Sequence, residues 1–263
     1  MHADSHGREV LTLRGLEIGT GTPRIIASIT GKDVTDAVAQ AKGIAEAHAV
    51  DIAELRLDCL GEPLSPAVVS DLVRRVTASL VGKPLIVTLR SKSEGGECTL
   101  SDADYFALYS ALLQERLVDA LDVEMMKPQA QVLDLIAQAH AQGVAVVLSN
   151  HDFEATPAHE VIIQRLRRQQ AMGADILKLA AMPASAKDVV TLMAATQEMH
   201  ALYAERPLMT MSMGPLGVVS RLAGQLTGVA LTYASAGAPS APGQLDAEAV
   251  RQVLGIIDRG TNG

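Results

Sequence analysis

Eight short apolar segments recur along the chain at fairly even spacing, and helical patterns lie between them. Most of the eight are almost continuously apolar and rich in Val, Ile, Leu or Thr, which is typical of strands in a parallel sheet. The segments occupy residues 24–29, 51–57, 84–89, 119–124, 144–150, 175–180, 207–212 and 228–233. Because strands that alternate with helices predict βαβ units, this pattern favours an α/β fold.

Capping residues mark where the helical patterns begin. A Ser or Thr, followed by Pro in two cases, comes directly before three of them. These patterns predict helices over 66–80, 102–117 and 157–172, with Ser65, Ser101 and Thr156 at their N-termini. A final helical pattern at 247–258 follows Asp246, which is expected to cap it.

Eight strand–helix units predict a (β/α)8 TIM barrel, for which about 250 residues is usual. No linker or shift in composition divides the chain, so we expect one domain over residues 1–263. Residues 1–23 are predicted to form a tail and a β-hairpin, "VLTLRGLEIG", that closes the bottom of the barrel. A doubly wound sheet is the alternative, but the loop "SITGKDVTDA" lacks the Gly-rich phosphate patterns of that fold.

Composition argues against several classes of partner. A net charge of -8, with no basic stripe carrying interleaved aromatic residues, argues against nucleic acid. Cys59 and Cys98 have no metal-ligand spacing, and no cluster of His, Asp and Glu offers a metal site, so we expect neither metal nor cofactor. No apolar run reaches 18 residues and the N-terminus lacks a hydrophobic signal core, so we expect a cytoplasmic protein with no membrane partner.

Polar and charged residues collect at the ends of the predicted strands, where the active site of such a barrel lies. These residues are Ser28, Glu54, Arg56, Asp58, Arg90, Glu124, His151, Lys178 and Ser212. Glu54, Arg56 and Asp58 share parity and are therefore predicted on one face of the second strand. They could form a salt-bridge network that only closes the top of the barrel. Two arginines near one mouth, Arg56 and Arg90, would instead suit an oxygen-rich anionic ligand.

A single lysine, Lys178, interrupts the apolar run "ILKLA". Alone, it could lie at a strand end and extend into solvent. However, His151 ends the neighbouring predicted strand, and the two groups together suggest specific chemistry. A lysine amine can condense with a ketone, and an imidazole can then remove the proton from the adjacent carbon. This pair is therefore sufficient to dehydrate a β-hydroxy ketone without a metal.

Six motifs resemble those of the type I 3-dehydroquinate dehydratases, in that family's order and spacing. They are "AELRLD" 53–58, "TLRSKSEGGE" 88–97, "NHDF" 150–153, "DILKLAAMP" 175–183, "MSMGPLGVVSR" 211–221 and "SAPGQL" 240–245. The resemblance implies a cofactor-free (β/α)8 barrel, a homodimer, that converts 3-dehydroquinate to 3-dehydroshikimate through a lysine Schiff base. This reaction belongs to the shikimate pathway, which leads to chorismate and the aromatic amino acids.

The resemblance also implies a role for individual residues. Lys178 is similar to the Schiff-base lysine, His151 to the general acid/base, and Glu94 to the carboxylate that orients this histidine. Arg221 resembles the residue that binds the substrate carboxylate. The other implied substrate contacts are Ser28, Glu54, Arg56, Arg90, Ser240 and Gln244.

The chain departs from the family pattern near the eighth strand. Many members carry "FGS" and then "TF", where this chain has Thr227-Gly228-Val229 and Thr232-Tyr233. Tyr233 thus adds a hydroxyl at a position that is often Phe.

Two other functions stay open at the level of sequence. A class I aldolase would use the same lysine chemistry, although "YASAGAPSAPGQ" is a poor phosphate nest for the sugars that most such enzymes take. A catalytically silent barrel could bind a related metabolite for regulation. The presence of Lys178, His151 and Glu94 together argues against the silent barrel.

Overall fold

A nearly closed barrel of eight parallel strands, with helices outside it, forms the body of the structure. The computed structural model describes residues 2–3, 8–61, 63–237 and 243–262. An N-terminal sheet contains β1 (His2–Ala3), β2 (Glu9–Leu13) and β3 (Leu16–Ile18). The barrel strands are β4 (Arg24–Ile29), β5 (Ile52–Arg56), β6 (Leu85–Thr88), β7 (Ala120–Glu124), β8 (Ala145–Asp152), β9 (Ile176–Ala181), β10 (Leu208–Ser212) and β11 (Leu231–Tyr233).

The helices fill the connections between these strands. They are α1 (Val34–Glu46), α2 (Pro66–Ser79), α3 (Asp102–Glu115), α4 (Gln129–Ala141), α5 (His159–Ala171), α6 (Ala186–Leu202), α7 (Val218–Leu222), α8 (Gly224–Thr227) and α9 (Ala247–Asn262). Short 3-10 turns occur at Leu57–Cys59, Lys92–Glu94 and Pro215–Gly217. Among the described residues, no helix is long and apolar enough to cross a membrane.

The strands pair in chain order around the barrel. Each strand from β4 to β9 pairs in parallel with the next, and β11 pairs in parallel with β4. Between β10 and β11, a parallel bridge joins Leu208 to Val229, and the Ala230 amide donates to the Leu208 carbonyl at 2.8 Å. This arrangement confirms the predicted (β/α)8 barrel.

Strand β9 explains why a lysine lies within an apolar run. Leu177 and Leu179 point outward into the core between strands and helices, whereas Ile176 and Ala180 join the core inside the barrel. Lys178 has the parity of the inward pair, so its side chain enters the barrel and is buried. Extension into solvent from a strand end, the alternative that the sequence left open, is therefore wrong.

The N-terminal hairpin closes the bottom of the barrel, as predicted. Strands β2 and β3 are antiparallel, and their buried Leu13 and Ile18 join the inner core with Ile26 and Ile52. Arg14, at the turn of the hairpin, donates from Nε to both carboxylate oxygens of Asp119 at 2.8 Å. This plug leaves the opposite end of the barrel, at the carboxyl ends of the strands, as the site of the mouth.

Several predicted boundaries were wrong for local reasons. Helix α5 begins at His159 rather than at 157, because the Thr156 hydroxyl donates to the Met182 carbonyl instead of capping the helix. Helix α3 ends at Glu115 because Arg116 takes a left-handed conformation. The last helix continues to Asn262, four residues beyond the predicted end.

Several strands are shorter than predicted, and in two of them the difference changes the environment of particular residues. The strand predicted at 51–57 ends at Arg56, so Asp58 lies in a 3-10 turn and not on the strand face shared with Glu54. The segment predicted at 228–233 is a strand only over Leu231–Tyr233. Its first residue, Gly228, ends α8 in a left-handed conformation, and the ring of His200 leaves no room for a Cβ there.

Candidate active site

A cavity of about 320 Å³ opens at the carboxyl ends of the barrel strands. Every catalytic or substrate-binding residue that the resemblance implied lines it except Ser240, which lies outside the described residues, whereas the strand-end residues Asp58, Glu124 and Ser212 do not line it. The lining residues that were predicted are Ser28, Glu54, Arg56, Arg90, Glu94, His151, Lys178, Arg221 and Gln244. Met211 and Met213 form part of its wall. The fold thus brings residues from seven of the eight barrel strands, or from the segments that follow them, to one mouth.

Lys178 lies on the floor of this cavity between acidic groups. Its Nζ donates to Oδ2 of Asp122 at 2.7 Å and to the hydroxyl of Tyr233 at 3.1 Å, and lies 3.8 Å from Oε1 of Glu54. These carboxylates compensate the cost of burying an ammonium group.

Glu54 is held by hydroxyl groups. Tyr233 and Thr88 each donate to its Oε1 at 2.9 Å, and Ser28 donates to its Oε2 at 2.7 Å. Burial raises the pKa of Glu54, but the charges of Lys178 and Arg56 outweigh burial and hold the pKa below its usual value. Glu54 is therefore ionised at neutral pH.

Arg90 organises the acidic side of the cavity. Its Nη2 donates to Oδ1 of Asp122 at 2.7 Å, and its Nη1 donates to Ser149 at 2.8 Å and to Glu124 at 3.3 Å. Ser149 in turn donates to Oδ1 of Asp122 at 2.6 Å. Burial raises the pKa of Asp122, and the charges of Arg90 and then Lys178 reverse this effect and lower it. Asp122 is thus ionised at neutral pH.

His151 lies one inward-facing position closer to the mouth than Lys178. In the register of β8 and β9, Ser149 pairs with Lys178 and His151 pairs with Ala180. Nδ1 of His151 forms a 2.9 Å hydrogen bond with Oε2 of Glu94, which leaves Nε2 as the ring nitrogen available to a ligand. This contact agrees with the predicted pairing of the two residues.

The loop that carries Glu94 depends on the glycines that follow it. Gly95 has a φ of +81°, and a Cβ there would overlap the ring of Phe153. At Gly96 a Cβ would lie 2.2 Å from the Arg90 carbonyl oxygen. The "EGG" sequence therefore allows the loop to fold tightly enough to bring Glu94 against the histidine.

Burial sets the protonation of this pair. It lowers the pKa of His151 well below 6.5, and the positive charges of Arg90 and Lys178 lower it further. It also raises the pKa of Glu94 to about 7, although the charge of Arg90 opposes the rise. The imidazole is consequently neutral at physiological pH, the form that can accept a proton.

The arginines of the cavity differ in how they are paired. Arg56 donates from Nε and Nη2 to the two oxygens of Asp58 at 2.8 and 2.7 Å, so one edge of its guanidinium is occupied. Arg221 is buried, forms no ion pair with an acidic residue in the described ranges, and has an Nε without a hydrogen-bond partner. Its Nη1 contacts Sδ of Met211 at 3.6 Å. Burial lowers the pKa of Arg221. A buried cation without a carboxylate partner is a site prepared for an anion.

Sequence reasoning missed the role of Asp122 and of the Tyr233 hydroxyl. Asp122 has the same strand parity as Glu124 in "DALDVE", and that parity could have identified it as inward-facing. No local pattern shows that Tyr233 contacts Lys178, because the two strands are far apart in sequence and meet only across the barrel interior. Among the described residues, no group of three or more His, Cys, Asp or Glu side chains is arranged to hold a metal ion.

The fold and the cavity define a class: (β/α)8-barrel enzymes that present a buried lysine and a neutral imidazole to a small anionic ligand. The model of the family described as "Type I 3-dehydroquinase" matches residues 25–261. The chain therefore belongs to the type I 3-dehydroquinase family.

Individual relatives agree with this assignment. A 3-dehydroquinate dehydratase of Klebsiella pneumoniae is 44% identical over 247 residues, which cover 94% of this chain and 98% of that protein. The type I 3-dehydroquinate dehydratase of Clostridium difficile, solved with covalently modified comenic acid, is 37% identical with a TM-score of 0.93. The match covers 97% of this chain and 99% of that one. The Geobacillus kaustophilus 3-dehydroquinate dehydratase is 32% identical with a TM-score of 0.92, covering 95% and 97% of the two chains.

Proposed function

We propose that this chain dehydrates 3-dehydroquinate to 3-dehydroshikimate, a step of the shikimate pathway, through a Schiff base on Lys178. The observation that carries the proposal is the position of Lys178, whose Nζ lies buried on the floor of a cavity that His151 also lines. Membership in the type I family supports the same reaction.

Arg221 is the proposed binding site for the substrate carboxylate. It is the cavity arginine that no described carboxylate neutralises, and a guanidinium binds a carboxylate through two parallel hydrogen bonds. Ser28, Glu54, Arg56, Arg90 and Gln244 are proposed to contact the rest of the substrate. Ser240 is proposed as a further contact on the strength of the resemblance alone.

The reaction is proposed to begin with attack of the Lys178 amine on the C3 ketone. Loss of water gives an iminium, which withdraws electrons from C2. His151, neutral and held through Nδ1 by Glu94, then takes the C2 proton on Nε2 and returns it to the departing C1 hydroxyl. Hydrolysis of the product iminium frees Lys178.

The assembly is proposed from the resemblance, and the location is proposed from the sequence. We infer a homodimer in the cytoplasm.

The pH dependence of the rate should reflect the histidine. Because the lowered pKa keeps His151 unprotonated as the pH falls through 6.5, we expect the acid limb of kcat/KM to lie below that value. A profile of kcat/KM between pH 4.5 and 8 measures this limb. Because the pKa of the adjacent Glu94 is raised to about 7, an acid limb above pH 6.5 would contradict the buried neutral base only if it persists in Glu94→Gln.

Arg221→Met should separate binding from stability. Loss of a hydrogen bond to a charged group costs about 1.5–3 kcal/mol, so KM should rise by roughly 10- to 150-fold. Thermal stability should hold or increase, because the variant removes a buried charge that no described carboxylate neutralises.

Arg56→Met is the matched control for the Arg221 variant. It leaves the buried Asp58 without its bidentate partner and should lower the melting temperature. A melting temperature that falls more in Arg221→Met than in Arg56→Met would contradict a free anion site at Arg221.

Ultraviolet absorbance tests the proposed reaction directly. The product is a conjugated enone, so absorbance should rise after 3-dehydroquinate is added to the protein. Carbonyl fragments without an enone would instead indicate an aldolase-type lyase. Binding in a calorimeter without any conversion would indicate a silent metabolite-binding barrel.

A further inference from the structure

The hydroxyl of Tyr233 bridges the amine of Lys178 and the carboxylate of Glu54. We propose that Tyr233 is a catalytic residue of this chain, whose hydroxyl relays a proton from Lys178 to Glu54 and later returns it. This inference rests on the proposed function, since it concerns how the amine of the Schiff-base lysine is freed. Members of the family often carry Phe at this position, which has no hydroxyl, so the relay would depend on the tyrosine that this chain carries.

The distances require an intermediary. Nζ of Lys178 lies 3.8 Å from Oε1 of Glu54, which is too long for a direct hydrogen bond. Tyr233 accepts from Nζ at 3.1 Å and donates to the same Oε1 at 2.9 Å. Its ring is buried, and Nζ lies 5.0 Å from the ring centroid. The hydroxyl thus completes a continuous chain of hydrogen bonds from the ammonium to the carboxylate.

Glu54 is a better proton acceptor than Asp122, the other carboxylate beside Lys178. Asp122 keeps a hydrogen bond from Arg90 at 2.7 Å whether or not the lysine is charged. For Glu54, the charge of Lys178 is the largest effect that opposes burial and lowers its pKa. Once Lys178 loses its proton this effect disappears, and burial, the largest effect on the pKa of Glu54, favours its protonated form against the remaining charge of Arg56.

Tyr233 is suited to pass protons without keeping a charge. Burial, reinforced by the charges of Glu54 and Asp122, raises the pKa of its hydroxyl well above 10. The phenolate is therefore not a stable state. When the hydroxyl oxygen of Tyr233 accepts a proton from Lys178, the hydroxyl's own proton must therefore move to Oε1 of Glu54 at the same time.

No net proton is gained or lost by Tyr233 and Glu54 while the iminium forms. The Lys178 ammonium gives one proton through Tyr233 to Glu54, and its freed electron pair attacks the ketone carbon. A second proton moves from nitrogen to oxygen and gives a neutral carbinolamine. The proton stored on Glu54 returns through Tyr233 to the carbinolamine hydroxyl, which leaves as water and gives the iminium. Tyr233 and Glu54 end in their starting forms.

Rapid quenching with borohydride measures this step alone. Enzyme and 3-dehydroquinate are mixed, quenched at successive times, and the reduced adduct on Lys178 is counted by mass spectrometry. Tyr233→Phe removes only the hydroxyl and should slow formation of the iminium by on the order of 10²-fold. Glu54→Gln should slow the same step, and the double variant should be no slower than the slower single variant, because both lie on one relay.

Thr88→Val is the matched control. Thr88 donates to the same Glu54 oxygen at 2.9 Å, but it has no hydrogen bond to Lys178 among the described contacts. It should form the iminium within a few-fold of the wild-type rate. Wild-type iminium formation in Tyr233→Phe, or equal slowing in Tyr233→Phe and Thr88→Val, would overturn the relay. Enone formation by the wild-type protein tests the proposed function separately, so the two failures are distinguishable.

Discussion

Lys178→Ala is expected to lose essentially all dehydration of 3-dehydroquinate. The variant removes the amine that forms the iminium, and His151 has no acidified C–H bond to act on without it. Removal of a nucleophile in a well-studied protease costs about 10⁶-fold in kcat, and we expect at least about 10⁴-fold here. The rate of enone formation at saturating substrate measures the loss.

Two variants control for effects other than loss of the nucleophile. Lys178→Ala also leaves the buried carboxylates of Asp122 and Glu54 without a positive partner, which could destabilise the protein. Lys178→Arg keeps a positive charge beside them but has no amine that can form an iminium. It should therefore be inactive for lack of the nucleophile alone. Lys127→Ala removes a lysine that is paired with Asp102 outside the cavity, and it should keep its activity. Turnover by Lys178→Ala that is reduced by much less than about 10⁴-fold would contradict the account.

His151→Ala should fail at a different step. The variant keeps the amine of Lys178, so we expect the iminium to form and to be reducible by borohydride. Removal of the C2 proton should stall, and loss of a general base typically lowers kcat by about 10²- to 10⁴-fold. Enone formation and borohydride trapping, measured on the same sample, separate the two steps.

His140→Ala is the matched control for this variant. His140 pairs with Asp175 at 2.9 Å on the outer side of the barrel and does not line the cavity. Its loss should leave both measurements unchanged. Normal turnover in His151→Ala would make His151 a structural residue and would assign the proton transfer to another group, such as Glu94.

The barrel and most of its mouth follow from local sequence patterns. The apolar segments, with turn and capping residues between them, specify where each strand lies, and strand parity places Lys178 and Glu54 inside. The chemistry of a lysine and a histidine at neighbouring strand ends then follows without further information. The resemblance added Glu94 and Arg221, which lie in loops and short helices where parity has no meaning.

What the sequence could not specify are contacts across the barrel. Tyr233 meets Lys178 and Glu54 only because β11 closes on β4, and this closure brings together residues 55 and 179 positions apart. The sequence placed Arg90 at the mouth, but it could not predict that Arg90 contacts Asp122, Glu124 and Ser149 at the same time. Such contacts depend on the stagger of eight strands, which no single segment encodes.

Two local predictions, a helix cap and a strand face, failed for a similar reason. Thr156 before Pro157 has the pattern of a helix cap, yet its hydroxyl bonds a carbonyl of the loop after β9. Asp58 has the parity of Glu54, yet the strand ends two residues earlier and the carboxylate of Asp58 accepts from the backbone amides of Arg90 and Glu97. In both cases a tertiary contact outweighs the local preference.

Borohydride reduction in the presence of 3-dehydroquinate, followed by peptide mass mapping, tests the central claim most directly. An iminium is reduced to a stable secondary amine, so the protein should be inactivated irreversibly and carry one substrate-derived adduct on the peptide that contains Lys178. Borohydride without substrate should leave that peptide unmodified. An adduct on Lys83, Lys127 or Lys187 instead, or no adduct while enone is still produced, would contradict a Schiff-base mechanism at Lys178.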